Sequence, residues 1–137
     1  MCIRDSVGSE YAFAQKIPYA RIANQRGELV EPTAISISAA ASGEIPTDTR
    51  CSITNSDAEG AYPISTFTWI IIYKEQCYSD RSKEQAQATL DLLLYILGDE
   101  AQAITSEVHY APLPTKAKEL SKRNLQKVTY EGVPVLQ

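Results

Sequence analysis

The sequence predicts an α/β fold, because its most apolar segment has the pattern of a strand that is covered on both faces. Every residue of the segment 66–73 is β-branched or aromatic, and positions 69–72 are consecutively apolar. A strand with one wet face alternates polar and apolar residues, whereas a continuous apolar run is typical of parallel or mixed sheets. Pro63 cannot donate a ladder hydrogen bond and therefore fits the start of this strand.

Ahead of the central strand, the sequence predicts a hairpin, a helix and a short strand. Two short stretches, 19–23 and 28–30, flank a turn whose Gly27 supplies the positive φ that a hairpin requires. A helix follows over 33–42, with Pro32 in its first turn and Gly43 at its end. Isoleucines at 35 and 37 would also suit a strand, but three consecutive alanines at 39–41 favour the helix. The short strand is predicted at 50–54.

Behind the central strand, the sequence predicts three helices. Ser82 is a suitable N-cap, Gln85 completes a capping box, and Gly98 ends this first helix. A shorter helix covers 100–106, and the last one begins at Leu113-Pro114-Thr115. The apolar faces of the first and last helices consist of Ala86, Leu90, Leu93, Leu94 and Leu97, and of Ala117, Leu120, Leu125 and Val128. A turn is predicted at 130–134.

Composition excludes several classes of protein. The chain of 137 residues is 44% hydrophobic and 22% charged, with a net charge of −4, so it lacks the basic footprint of a nucleic-acid-binding protein. No apolar run approaches the ~18 residues of a membrane span. Cys51 and Cys77 allow a disulfide in an oxidising compartment, and two unpaired thiols are the alternative.

The sequence predicts a leader at the amino terminus and one boundary within the chain. Residues 1–6 resemble the translation of a sequencing-library adaptor, so we expect them to be a non-native leader in front of a truncated gene. The absence of a signal peptide would then say nothing about location. Taken literally, it would favour the cytoplasm. The strand–helix–helix series differs from the hairpin-bearing part before it, which predicts a boundary near Ala61.

No catalytic or metal-binding constellation is visible in the sequence. The single histidine, His109, has no nucleophile or ligand partner in its vicinity, and no phosphate-binding loop or zinc motif occurs. The acidic pairs Asp57/Glu59 and Asp99/Glu100 lie in predicted turns or helix ends, where solvated carboxylates are ordinary. We therefore expect no enzyme activity, no catalytic or metal-ligating residues and no cofactor.

Two motifs carry a family resemblance. Tyr62-Pro-Ile-Ser65 begins the central strand, and His109-Tyr-Ala-Pro-Leu-Pro114 precedes the last helix. In this order they resemble the carboxy-terminal region of the extracytoplasmic phosphate-binding protein of the phosphate ABC transporter, the PstS family. The resemblance implies a periplasmic-binding-protein-like (type II) fold of two α/β lobes, of which only the carboxy-terminal portion is present. Residues 7–61 would end the second lobe, and 62–137 would return to the first.

The resemblance also implies a function and its partners. The intact protein would capture inorganic phosphate outside the cytoplasmic membrane, in the periplasm or another extracytoplasmic space, and deliver it to the permease subunits. The family's phosphate ligands lie upstream of the matched segment, so no phosphate-binding residue is expected here. Tyr62, Pro63, Ser65 and Thr66 would lie at the hinge or beside the cleft, unless the two hydroxyls only satisfy local backbone groups. The alternative is a related solute-binding or sensory-input domain for another oxyanion.

Overall fold

The computed structural model describes residues 6–136, so the expected non-native leader lies outside the described residues except for Ser6. Within that range the chain forms five helices and two short β-hairpins. In chain order the elements are α1 (Ser9–Ala14), β1 (Ile22–Ala23), β2 (Leu29–Val30), α2 (Ala34–Ala40), α3 (Lys83–Ile96), α4 (Asp99–Glu107), α5 (Thr115–Leu125), β3 (Thr129–Tyr130) and β4 (Val133–Pro134). The protein is therefore of mixed helix and strand composition.

The described chain divides into two compact units. The first consists of the chain up to Gly43, of Ile53–Thr66 and of Ala103–Pro112; the second consists of Glu44–Ser52, of Phe67–Gln102 and of the chain from Leu113 onward. This division follows contacts and does not test the predicted lobe boundary near Ala61, which stays a prediction.

The first unit contains the predicted hairpin and the helix α2. Ile22 pairs with Val30 and Ala23 with Leu29 in antiparallel register, and Gly27 in the connecting turn has φ +80°. This confirms the hairpin and the role of its glycine. The buried hydrophobic residues of the unit are mostly small: Ala12, Ala40, Ala41, Ile53 and Ala61.

The second unit has a larger apolar core between α3, α5 and the carboxy-terminal hairpin. Its buried cluster consists of Ala86, Leu90, Leu97, Leu125, Val128 and Val135, with Leu93, Leu94 and Leu113 packed against it. The predicted apolar face of α3 is thereby confirmed. The turn predicted at 130–134 is the hairpin of β3 and β4, whose central residues Glu131 and Gly132 have φ +51° and +77°. Positive φ at both positions is the geometry of a type I′ turn.

Two helices begin directly after a side-chain cap, of which only the cap of α3 was predicted; Pro32, predicted in the first turn of α2, lies before the N-cap of that helix. Thr33 caps α2 and Ser82 caps α3, and in each case the third helical residue, Ser36 or Gln85, completes a capping box. These reciprocal hydrogen bonds satisfy backbone N–H groups that have no partner within the first turn. The prediction of a capping box at Ser82 is confirmed.

The prediction of a paired, buried central strand is wrong for this structure. The segment 66–73 is not part of either of the two described sheets. Trp69 is 44% exposed and Ile71 is 91% exposed, while Ile72 packs against the core of the second unit. A covered strand needs neighbours on its edges and faces, and composition alone cannot supply them.

The short strand predicted at 50–54 is also absent. The carboxylate of Asp48 accepts hydrogen bonds from the backbone N–H and the Nε of Arg50, at 3.1 and 3.0 Å. Such local side-chain bonds offer the backbone an alternative to a ladder. Of the described helices, none has the length and apolar character needed to cross a bilayer.

Candidate functional site

The first motif, Tyr62 to Ser65, forms a hydrogen-bonded bend in the first unit. The backbone N–H of Tyr62 donates to the carbonyl of Ser36 at 3.0 Å, and the carbonyl of buried Pro63 accepts from the N–H of Asn55 at 2.8 Å. Ser65 is only 2% exposed. Its hydroxyl donates to the carbonyl of Tyr62 at 2.8 Å. The motif is therefore a fixed turn whose backbone groups bond to two other segments.

The hydroxyl groups of this motif serve local structure. The Ser65 hydroxyl closes the bend, and the Ser65 carbonyl accepts from the hydroxyl of Thr54 at 3.2 Å. The side chain of Thr66 is exposed. Partial burial of the Tyr62 side chain raises the pKa of its phenol. The structure thus brings Tyr62, Pro63 and Ser65 together. Their assignment to a hinge or cleft edge stays a prediction.

A second cluster of polar groups holds the segment just before this motif. Asn24 is 6% exposed. Its Nδ2 donates to Oε2 of Glu28 at 2.7 Å and to the carbonyl of Ala61 at 3.3 Å. The same Glu28 oxygen accepts from the N–H of Gly60 at 3.0 Å. The Asn24 amide and the Gly60 N–H lower the pKa of the Glu28 carboxyl. The turn of the β1–β2 hairpin therefore fixes the start of the motif, an arrangement that the sequence analysis missed.

The second motif, His109 to Pro114, ends one helix and starts the next. His109 has φ +64°, and the N–H of Tyr110 donates to the carbonyl of Thr105 at 2.8 Å, which closes the end of α4. His109 is exposed, and its ring meets Phe13 edge-on with centroids 5.8 Å apart. Pro114 is the residue before α5. The motif is therefore the connection between α4 and α5, and its histidine packs against an aromatic ring.

In the second unit, Glu75 forms a cluster that sequence reasoning did not find. Its carboxylate accepts from the hydroxyl of Thr129 at 2.8 Å and from the N–H groups of Cys77, Glu131 and Gly132 at 3.0, 2.9 and 3.1 Å. These donors, with the Cys77 N–H first, lower the pKa of the Glu75 carboxyl to about 2. We call these five residues the Glu75 cluster. It ties the 75–77 stretch to the β3–β4 hairpin.

Arg81 lines an open surface depression of about 600 Å³ at the start of α3. Its guanidinium donates to the Tyr78 hydroxyl at 3.2 Å, to the Gln85 carbonyl at 3.0 Å and to the Thr89 hydroxyl, and it lies over the Tyr78 ring at 5.7 Å. The Tyr130 hydroxyl donates to the Arg81 carbonyl at 2.9 Å. Because its two terminal nitrogens bond to Tyr78, Gln85 and Thr89, Arg81 links the loop before α3 to the first turns of that helix, while its buried Nε has no hydrogen-bond partner among the described residues. The other lining residues are Cys77, Ser79, Asp80 and Ser82.

The described residues bring together no group of histidine, cysteine or acidic side chains that could hold a metal ion. Cys51 and Cys77 are both unpaired thiols in the structure. The candidate site is therefore a scaffold feature, a bend at Tyr62–Ser65 beside an exposed Thr66. The bend is hydrogen-bonded to α2 and to Asn55, and the two residues before it are bonded to the first hairpin.

Comparison with known proteins supports the family resemblance of the two motifs. No family model matches the chain. The chain is 34% identical over 118 residues to a protein named phosphate-binding protein PstS from Xylella fastidiosa strain Temecula1, and 33% identical over 118 residues to that from strain 9a5c. It is 30% identical over 113 residues to the protein of the same name from Methanocaldococcus jannaschii.

These matches cover most of this chain but less than a third of each relative. The two Xylella matches include 82% of this chain and the Methanocaldococcus match 76%, but they span only 31% and 29% of those relatives. The chain thus corresponds to about a third of the length of the proteins that it matches. The resemblance carried by the two motifs is confirmed, and the chain is a PstS-like polypeptide.

Proposed function

We propose that this chain is part of the substrate-binding component of an ABC transporter that captures inorganic phosphate and delivers it to the membrane permease. The observation that carries the proposal is the similarity to three proteins named phosphate-binding protein, over most of this chain. Those names describe binding proteins and not enzymes. The proposed location is periplasmic or extracytoplasmic.

The proposed fold of the whole protein is the two-lobed type II binding-protein fold. In it, residues 7–61 end the second lobe, and residues 62–137 return to the first. A ligand that contacts both lobes binds the closed form more tightly than the open one, and this difference in affinity drives closure. The chain would contribute scaffold and hinge to this motion, and the phosphate ligands would come from other parts of the polypeptide.

The bend at Tyr62–Ser65 supports a role at the hinge or the cleft edge. Its backbone is held at Tyr62 by α2 and at Pro63 by Asn55, so the direction in which the chain leaves it is fixed. Thr66 follows with an exposed side chain, as a residue at the edge of a cleft would.

A chimera tests the proposed function. The aligned residues of the Xylella Temecula1 relative would be replaced by those of this chain, and phosphate affinity would be measured by calorimetry. We expect phosphate binding by the chimera and none by the 137-residue chain alone. A chimera that folds, as judged by its circular dichroism, but binds no phosphate would contradict the proposed function.

A matched pair of variants in the same chimera tests the cleft assignment. Thr66→Trp should weaken phosphate binding about tenfold or more, because a bulky side chain at the cleft edge would obstruct the closed form, which binds the ligand more tightly. Thr68→Trp, the same change two residues further on, should leave the affinity unchanged. Equal effects of the two substitutions would show that Thr66 is not at the cleft, while the proposed function would stand.

A further inference from the structure

We propose that Asn24 and Glu28, in the turn of the first hairpin, are positioning residues for the proposed hinge and set the phosphate affinity of the whole protein without contacting the ligand. The inference rests on the proposed function, because it assigns a role within that phosphate-binding protein. It is carried by the hydrogen bonds of these two side chains to the backbone directly before the bend at Tyr62–Ser65.

The backbone that leads into the bend is bonded at four successive residues. The N–H of Gly60 donates to Oε2 of Glu28 at 3.0 Å. The carbonyl of Ala61 accepts from Nδ2 of Asn24 at 3.3 Å. The next two residues bond to backbone groups of other segments, at 3.0 and 2.8 Å. Because the first two bonds come from side chains, the strength of this attachment depends on the identity of residues 24 and 28.

The amide of Asn24 has one fixed orientation. Its Oδ1 accepts from the N–H groups of Arg26 and Glu28, both at 3.0 Å. Its Nδ2 donates to Glu28 at 2.7 Å as well as to Ala61. A flipped amide would place its NH₂ group against two N–H donors and its oxygen against a carboxylate. The buried Asn24 side chain is therefore a rigid link between the hairpin turn and the start of the bend.

Glu28 completes this arrangement with a single oxygen atom. Its Oε2 accepts from both Asn24 and Gly60, and these two bonds are the largest causes of the lowered pKa of the Glu28 carboxyl. Hydrogen bonds to an ionised acceptor are stronger than those between neutral groups. Gly60 has φ +66°, which a glycine adopts without strain. We call the two side chains, with the Gly60 N–H and the Ala61 carbonyl, the Asn24–Glu28 clamp.

The Asn24–Glu28 clamp would act on phosphate affinity through the hinge. Hinge motions concentrate large φ/ψ changes in a few residues, which requires that the residues next to them stay fixed. With Gly60 and Ala61 held, rotation is confined to the bend. Without the clamp, rotation spreads into the preceding loop and the competent closed form becomes less populated. The apparent affinity then falls in proportion to that population.

Phosphate calorimetry of variants of the Xylella Temecula1 chimera tests the proposal. Glu28→Ala removes the shared acceptor and should weaken binding about fivefold or more, the usual range of coupling between distant groups. Glu28→Gln keeps an oxygen that can accept both bonds and should stay within about twofold of the parent. Glu31→Ala is the matched control, because its side chain is 39% exposed against 38% for Glu28 and pairs with Arg21. It should bind like the parent.

A second variant and a second measurement separate positioning from folding. Asn24→Asp keeps an acceptor for the hairpin turn but loses the donor to Ala61, so it should weaken phosphate binding as Glu28→Ala does. In the 137-residue chain, hydrogen exchange at the amides of Gly60 and Tyr62 should be faster in Glu28→Ala than in Glu31→Ala. The far-ultraviolet circular dichroism of both variants should match that of the parent.

The calorimetry also distinguishes failure of this proposal from failure of the proposed function. If the parent chimera binds phosphate, then parent-like affinity in Glu28→Ala would overturn the proposal alone, even if the variant is less stable. Equal losses in Glu28→Ala and Glu28→Gln, or in Glu28→Ala and Glu31→Ala, would do the same. A parent chimera that folds but binds no phosphate would overturn both proposals.

Discussion

Single side chains in this molecule join stretches that are far apart in sequence. The donors of the Glu75 cluster lie 2, 54, 56 and 57 residues from the carboxylate. Asn24 similarly reaches Ala61, 37 residues away. No local pattern predicts such partners, because they meet only when the chain has folded. Glu75 and Asn24 were therefore absent from the sequence-based expectations.

The low pKa of Glu75 predicts how stability depends on pH. Folding lowers this pKa from its ordinary value of 4.5 to about 2, so the folded state favours the ionised form. The stabilisation is complete above pH 4.5 and is lost as the pH falls through about 2. Glu75→Gln should therefore lower the urea midpoint at pH 7, and the difference from the parent should shrink as the pH falls from 4.5 towards 2.

Glu44→Gln is the matched control for this prediction, because Glu44 is an exposed residue of the same unit. Its midpoint should follow that of the parent at every pH. A gap between the parent and Glu75→Gln that is constant from pH 7 to pH 2 would show that the carboxylate charge does not matter.

At the scale of elements, the helices were more predictable than the strands. α3 was predicted from its capping box and from the periodicity of its apolar face, and α2 from Pro32, Gly43 and the three alanines at 39–41, all of which are local signals. α1 was missed because its N-cap, Gly8, makes no side-chain cap and its six residues show no period. The segment 66–73 has strand composition, but pairing depends on partners that its own sequence does not specify.

Two leucines on α3 test the assignment of its buried face. Leu90 is 0% exposed, whereas Leu92 is 58% exposed. Leu90→Ala should lower the free energy of unfolding by about 2–5 kcal/mol, because it leaves a cavity in the core. Leu92→Ala, the same change on the outer face, should cost less than about 0.5 kcal/mol. Urea unfolding followed by circular dichroism would measure both, and similar losses would contradict the assigned face.

At the scale of the whole molecule, the two units differ in the size of the side chains that form their cores. Among the described residues, the buried hydrophobic side chains of the first unit are four alanines and one isoleucine, whereas those of the second include Leu90, Leu97, Leu125, Val128 and Val135. Alanine contributes little apolar area, so the first unit gains less from burial. The motif Tyr62–Ser65 was recognisable in the sequence, but its fixed bend depends on hydrogen bonds from α2 and Asn55 that no motif encodes.

This difference predicts unequal local stability. Amides of α2 in the first unit should exchange with solvent faster than amides of α3 in the second, because they open at a lower free energy. Hydrogen exchange measured by mass spectrometry at pH 7 would compare peptides from the two helices. Equal protection of α2 and α3 would mean that the two units open together, in spite of their different cores.

The position of Trp69 has a consequence for spectroscopy. It is the single tryptophan of the chain, and its ring meets Phe67 edge-on at 5.6 Å, outside the buried core cluster. Indole emission therefore reports on the partly exposed 67–73 segment, while ellipticity at 222 nm reports on the helices. A denaturation curve followed by emission would therefore report the unfolding of that one segment. Agreement between this curve and the ellipticity curve is the usual sign of two-state unfolding, and here it would show that the segment unfolds together with the helices.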